Sequence, residues 1–178
     1  FGINIEGSDV FPSSQNGSYQ LSKKMNYYNP YSENDLQEGR ITELFQESIV
    51  TAYNEDSINF SSFDLVVVFH AGIGQDFSLP FLDPTPEDIP STYVDQKMIS
   101  DNLNEAGIII GEHLIDRGII LPETQNHLLY DISDSMFGDA ADPCEYQYGL
   151  TGTFALMVGF AIGLPPLWNV ESGESRVG

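Results

Sequence analysis

The side chains able to do chemistry in this sequence are few and scattered. Its histidines are His70, His113 and His127, and its one cysteine is Cys144. A catalytic zinc ion needs nitrogen, carboxylate or thiolate donors converging on it, with a position left for water. No histidine here has a second one four residues away or a cysteine close by, so the spacing does not build that site. A Ser-His-Asp hydrolase lacks the G-x-S-x-G elbow that would present its nucleophile. The hydrolytic alternative left open is His70 working with Asp76 or Glu123. Oxygen donors are more plentiful. Asp76, Asp83, Glu87 and Asp88 form one acidic cluster, and Asp131, Asp134, Asp139, Asp142 and Glu145 form another. Calcium takes about six to eight oxygens, often from carboxylates on irregular loops, so these are its candidate ligands. Neither cluster follows the EF-hand pattern, and a solvated acidic surface explains them equally well.

Charge narrows the partners. The chain has 178 residues, with 27 Asp and Glu against 6 Lys and Arg, a formal net charge of -21. That field repels phosphate backbones and anionic lipid, which argues against nucleic-acid binding and membrane attachment. It suits cation binding, a calcium-rich surface or a high-salt habitat. A hydrophobic fraction of 41% and an aromatic fraction of 12% are globular values. By length, residues 1–178 make one domain. Cys144 has no partner in the chain for a disulfide and reads as a small, partly buried side chain. No stretch approaches the roughly 18 apolar residues that cross a bilayer. The chain starts at Phe1, which suits either a processed mature protein or a fragment. Asn16 and Asn59 stand in N-x-S contexts, which matter in a glycosylating host.

These residues need elements to hold them. A short strand is expected at Ile3 to Ile5. "SENDLQEGRITELFQESIVTAY" then predicts a helix capped by Ser32 or Asn34, with Leu36, Ile41, Leu44, Phe45 and Ile49 on one apolar face. In "FDLVVVFHAG" the run Leu65 to Val68 predicts a strand buried on both faces and ending in a hydrogen-bonded His70. "DFSLPFLDPTPEDIPSTYV" is a proline-punctuated loop leading to an extended segment at Thr92 to Val94. "AGIIIGEHLIDRGIILPE" carries two apolar runs around a polar turn holding His113, the pattern of a β-hairpin whose exposed edges could pair with other chains. "YDISDSMFGDAADPCEYQYG" is an acidic loop. "TFALMVGFAIGLPPLW" is a short helix over Thr153 to Ile162 that stops at glycine and a Pro-Pro pair. A helix apolar nearly all round is expected to be buried. The fold class is mixed, α/β or α+β.

Three of these stretches, "FDLVVVFHAGIGQD", "IILPETQ" and "GLTGTFALMVGFAIGLPPLWNVESG", occur in the order seen in a known family. From about Tyr27 to its end the chain resembles the catalytic domain of the immune-inhibitor-A-type secreted zinc metallopeptidases and their bacterial surface relatives. In that family a buried strand ends in His-Ala-Gly, a hairpin carries Pro-Glu-Thr-Gln, and a helix reads G-V-L-A-H-E-F-G-H-x-L-G-L-P-D-L-Y. Gly152, Ala155, Gly159, Gly163, Leu164 and Pro165 match that helix. The family's first zinc histidine then falls on Leu156, its glutamate on Met157, its second histidine on Phe160 and its following aspartate on Pro166. These apolar side chains supply neither the nitrogen, oxygen or thiolate donors zinc takes nor a general base to activate water.

The resemblance therefore implies a zincin-like mixed sheet with a packing helix, and a former active-site helix sealed into the core. It implies a secreted or cell-surface location, no zinc and no peptidase activity. The expected role is a structural or binding module that associates with itself or another surface protein, with calcium as stabiliser. The alternative is a secreted metal-dependent peptidase whose site is relocated or incomplete.

Overall fold

The computed structural model describes residues 7–13, 17–31, 33–76, 86–125 and 150–166. The expected strand at Ile3 to Ile5, the sequon at Asn16, the carboxylates Asp83, Asp131, Asp134, Asp139, Asp142 and Glu145, and His127 and Cys144 lie outside these residues. Within them the architecture is mixed α/β.

A four-residue helix, α1, spans Met25–Tyr28, and α2 runs over Asn34–Asp56. Ile41, Leu44, Phe45 and Ile49 of α2 are buried, as the helical spacing requires. Leu36 departs from that stripe: it sits in the first turn and is 44% exposed. Of the two expected caps, Ser32 lies outside the described residues. Glu33 is the capping residue and makes no side-chain cap bond; Asn34 is already helical. Backbone bonding from Leu36 N–H to the Glu33 carbonyl (2.9 Å) starts the helix, with Asp35 near its positive end. Segment 17–31 is tied onto α2 by phenols. The Tyr28 hydroxyl donates to Glu47, Tyr19 to Asp56, and Tyr27 to Glu43 at 2.8 Å.

Strands β1 (Val66–Ile73), β2 (Thr92–Val94) and a later strand over Gly118–Thr124 form one sheet. The late strand lies in the middle, parallel to β1 and antiparallel to β2. Between them come α3 (Gln96–Leu103) and a separate two-stranded ribbon, β3 (Ile108–Ile110) with β4 (His113–Ile115). The late strand is thus β5. Helix α3 had no counterpart in the sequence reading, although Asp95 caps it by accepting from Met98 N–H at 2.7 Å and Asn104 ends it in the left-handed region.

Two expectations about strands are corrected by this topology. The two apolar runs of "GIIIGEHLIDRGIIL" do not pair with each other. The first pairs with His113–Ile115 in the ribbon, and the second becomes the central strand β5. His113 accordingly opens β4, opposite Ile110, rather than standing in the turn. The fully buried strand is also β5 and not β1. Gly118 to Pro122 are buried, whereas Val66 to Val68 are half-buried and Phe69 is 60% exposed. The reason is position: β5 has a neighbour on each side, and among the described residues β1 has one.

Side-chain alternation splits the sheet between two layers. Val66, Val68, Val94 and Ile120 join Phe45, Ile49 and Ile99 in the main core beneath α2, α3 and the ribbon. Leu65, Val67, Tyr93, Ile119 and Leu121 face the other way and meet helix α4 (Leu150–Ala161). On the α2 side the packing is tight enough to demand glycine. A Cβ on Gly118 would lie 2.2 Å from the Phe45 ring.

Helix α4 ends as its sequence dictates. Gly163 takes φ +87, the Leu164 N–H bonds the Gly159 carbonyl and the Gly163 N–H bonds the Phe160 carbonyl, both at 2.9 Å. This is a Schellman stop, reinforced by the prolines that follow. Its expected burial is not found. Only Val158 of α4 is buried; Phe154 is 40% exposed, and Leu156, Met157 and Phe160 are half-buried. The sheet covers one stripe of the helix, and an all-apolar sequence adds no second surface to cover the rest.

Candidate functional site

The C-terminal ends of β1 and β5 bring together the three stretches that carry the family resemblance. Asp76, just beyond β1, accepts from the Ser91 N–H (2.8 Å), the Ser91 hydroxyl (2.6 Å) and the Gln125 side-chain amide (2.8 Å). Gln125, just beyond β5, is buried, and its carbonyl oxygen accepts from the Thr153 hydroxyl of α4 at 3.1 Å. A single chain of polar contacts therefore links the His-Ala-Gly strand, the Pro-Glu-Thr-Gln strand and helix α4. Burying Gln125 is tolerable because both ends of its amide are satisfied. Ser91, Gln125 and Thr153 were not singled out from sequence, although Gln125 closes a quoted motif.

Chemically this cluster is a clasp. Asp76 is engaged by three donors, and the Ser91 hydroxyl donates to it instead of to a general base. His70 is occupied elsewhere. Its Nδ1 lies 3.0 Å from the Ala71 carbonyl and its Nε2 lies 3.1 Å from the Ile89 carbonyl, so the ring ties β1 to the segment entering β2. Glu123 accepts from the Gly72 N–H at 3.2 Å. The structure thus gives His70, Asp76 and Glu123 separate partners.

The positions that the resemblance sets against zinc ligands and general base are also distributed. Met157 packs with Ile119, Leu121 and Val158 against the sheet. Phe160 meets Tyr93 of β2, with ring centroids 6.2 Å apart and planes tilted by 42°. Burial on this side, together with Asp95 and Asp116 and against the opposing pull of Arg117, pushes the Tyr93 phenol up from its usual 10.0. Leu156 is half-buried and Pro166 is exposed. None of these side chains offers the imidazole, carboxylate or thiolate donor that zinc takes. The carbon face expected at Leu156 and Phe160 is present, but it is not closed over.

Of the candidate calcium ligands, Asp76 is held in the clasp and Asp88 is buried, its backbone carbonyl accepting from Asn29 Nδ2 at 2.6 Å. Among the described residues, no three His, Cys, Asp or Glu side chains gather where they could hold a metal ion.

Apolar surface is also exposed among the described residues. Ile109 and Leu114 face each other across the ribbon and are 67% and 45% exposed. Next to Leu114 lies a groove of about 430 Å³ walled by Phe63, Leu65, Ile115, Ala161 and Ile162. Its polar rim includes Asp64, and Asp116 paired with Arg117 at 2.8 Å. Among the described residues, no helix is long and apolar enough to cross a membrane.

Comparison with known proteins returns no match to a family model, to a curated protein or to a solved structure.

Proposed function

We propose that this chain is a non-catalytic, peptidase-derived module that works outside the cell by shape and binding. The observation carrying the reading is the composition of α4, which sets Leu156, Met157 and Phe160 where the resembling family needs two metal-binding imidazoles and a general base. Two further features support it. Asp76, the residue that could orient His70 in a substitute site, is bonded to Ser91 and Gln125 instead. The apolar pair Ile109 and Leu114 gives a surface for association with a second copy or another surface protein.

A net charge of -21 opposes bringing two copies together, and calcium bound between carboxylates would relieve that repulsion. Peptidase assays on casein with zinc supplied, alongside elemental analysis of the dialysed protein, test the catalytic part. No turnover and no retained zinc are expected; chelator-sensitive cleavage would overturn it. Light scattering and melting curves with calcium, and then with excess chelator, test the binding part. A rise in mass or melting temperature with calcium is expected, and Ile109→Lys should lower the mass gained. An unchanged monomer and melting temperature in both conditions would remove calcium and self-association from the account.

A further inference from the structure

The sequon Asn59-Phe60-Ser61 is a motif that the proposed function leaves unused. Its geometry sets it apart from a chance tripeptide. Helix α2 ends with Ser57 in the left-handed region (φ 53), which turns the chain outward. Ile58 and Phe60 are then buried at 7% and 6% exposure, pinning the backbone on either side of an exposed Asn59. The carboxamide is held in a defined pose. Asn59 Oδ1 accepts from the Ser61 hydroxyl at 2.7 Å and from the Ser61 N–H at 3.3 Å, and Nδ2 donates to the Ser62 hydroxyl at 3.2 Å. One Nδ2 hydrogen has no partner among these contacts, and the hydroxyl that defines the sequon is already on the acceptor amide.

We propose that Asn59 is an N-glycan acceptor, a reading that rests on the extracellular location proposed above. The donor is an oligosaccharide carried on a lipid pyrophosphate. Asn59 Nδ2 forms a bond to the anomeric carbon of the first sugar, the bond from that carbon to the pyrophosphate oxygen breaks, and the lipid pyrophosphate leaves. The amide proton passes to a base of the transferase. An N-x-S acceptor belongs on a surface turn of an exported protein, which is where Asn59 stands.

The cap role of Asn59 at the turn Phe60–Ser62 is the competing explanation, and the variants separate the two. The full chain is sent through the secretory pathway of a glycosylating cell behind a cleavable leader, and secreted protein is analysed by intact and peptide mass. A glycan-sized mass on the peptide holding Asn59 is expected, removed by the amidase that releases N-glycans and leaves aspartate. Asn59→Asp keeps a capping oxygen and should lose that mass while secreting normally. Ser61→Ala should lose it and Ser61→Thr should keep it. Secreted protein unmodified at Asn59, or a glycan confined to Asn16, would overturn the proposal. The amount of protein reaching the medium is read separately, so a failure of export is not confused with a failure of modification.

Discussion

Helices α2 and α4 pack on opposite faces of the same three strands, and they invert a common expectation. The mixed-polarity helix, α2, has the deeper seat: Ile41, Leu44, Phe45, Ile49 and Ala52 are all buried beneath it. The nearly all-apolar helix, α4, buries only Val158, with Phe154 40% exposed on its other side. Apolar composition measures how much a helix would gain from burial. What it actually gains depends on how many surfaces come to meet it. Helix α2 packs on the sheet, α1 and α3 and is held by phenol–carboxylate bonds, whereas among the described residues α4 packs mainly on β5 and β2.

The sharpest way to break this contrast is on the α2 side. Phe45 is fully buried against Gly118, so Phe45→Ala should destabilise the protein by about 3–5 kcal/mol through lost burial and a residual cavity. Denaturant unfolding measures it. A cost near that of a surface substitution would mean that the two faces are packed alike.

The companion change is on α4. Leu156→His, Met157→Glu and Phe160→His together install the zinc-binding letters of the resembling family. No peptidase activity is expected, because Pro166 still stands where the resembling family has aspartate. The stability cost should be about 1–3 kcal/mol in total, below that of Phe45→Ala alone, since all three positions are half-buried. A larger cost would show that this face is covered in solution.

A smaller effect is expected from the clasp. Thr153→Val deletes one hydrogen bond to Gln125 and keeps the side-chain shape, for a loss of about 1 kcal/mol. It should leave the α2 face untouched, which hydrogen exchange can read separately for the two helices.

The smallest change is confined to the pH dependence of the α2 face. Burial, and then the Glu47 carboxylate, push the Tyr28 phenol up to about 12 from 10.0. Burial acts to raise Glu47, but bonds from Tyr28 and Ser22, with Lys23 nearby, outweigh it and leave its pKa below 4.5. The tie's contribution from Tyr28 is therefore complete below pH 10 and is lost between pH 10 and about 12. Its contribution from Glu47 is present above pH 4.5 and is lost as pH falls through the lowered value. Tyr28→Phe should flatten the alkaline fall in melting temperature without abolishing it, because Tyr19, Tyr27 and Tyr93 are raised as well. An unaltered profile would separate these phenols from the stability of the N-terminal segment.

The site was legible in part. The absence of an imidazole or carboxylate at Leu156, Met157 and Phe160 is a property of the letters themselves, and no fold could give those side chains one. The hydrogen-bonded role of His70 was also expected, and its two carbonyl partners supply it. The Asp76–Gln125–Thr153 connection was not legible, because it joins residues 49 and 28 positions apart that only strand pairing and helix docking bring together.

What the sequence determined by itself is local. The 3.6-residue spacing of Ile41, Leu44, Phe45 and Ile49 placed the packing face of α2, and glycine followed by two prolines ended α4. These outcomes depend on backbone sterics and near-neighbour side chains, which the letters specify directly. The tertiary structure decided which apolar run became the central strand. Leu65 to Val68 and Ile119 to Leu121 read alike, but among the described residues only the second gained a strand on both sides. It also decided that α2 is sealed and α4 half-open, since burial requires a second surface from a distant part of the chain.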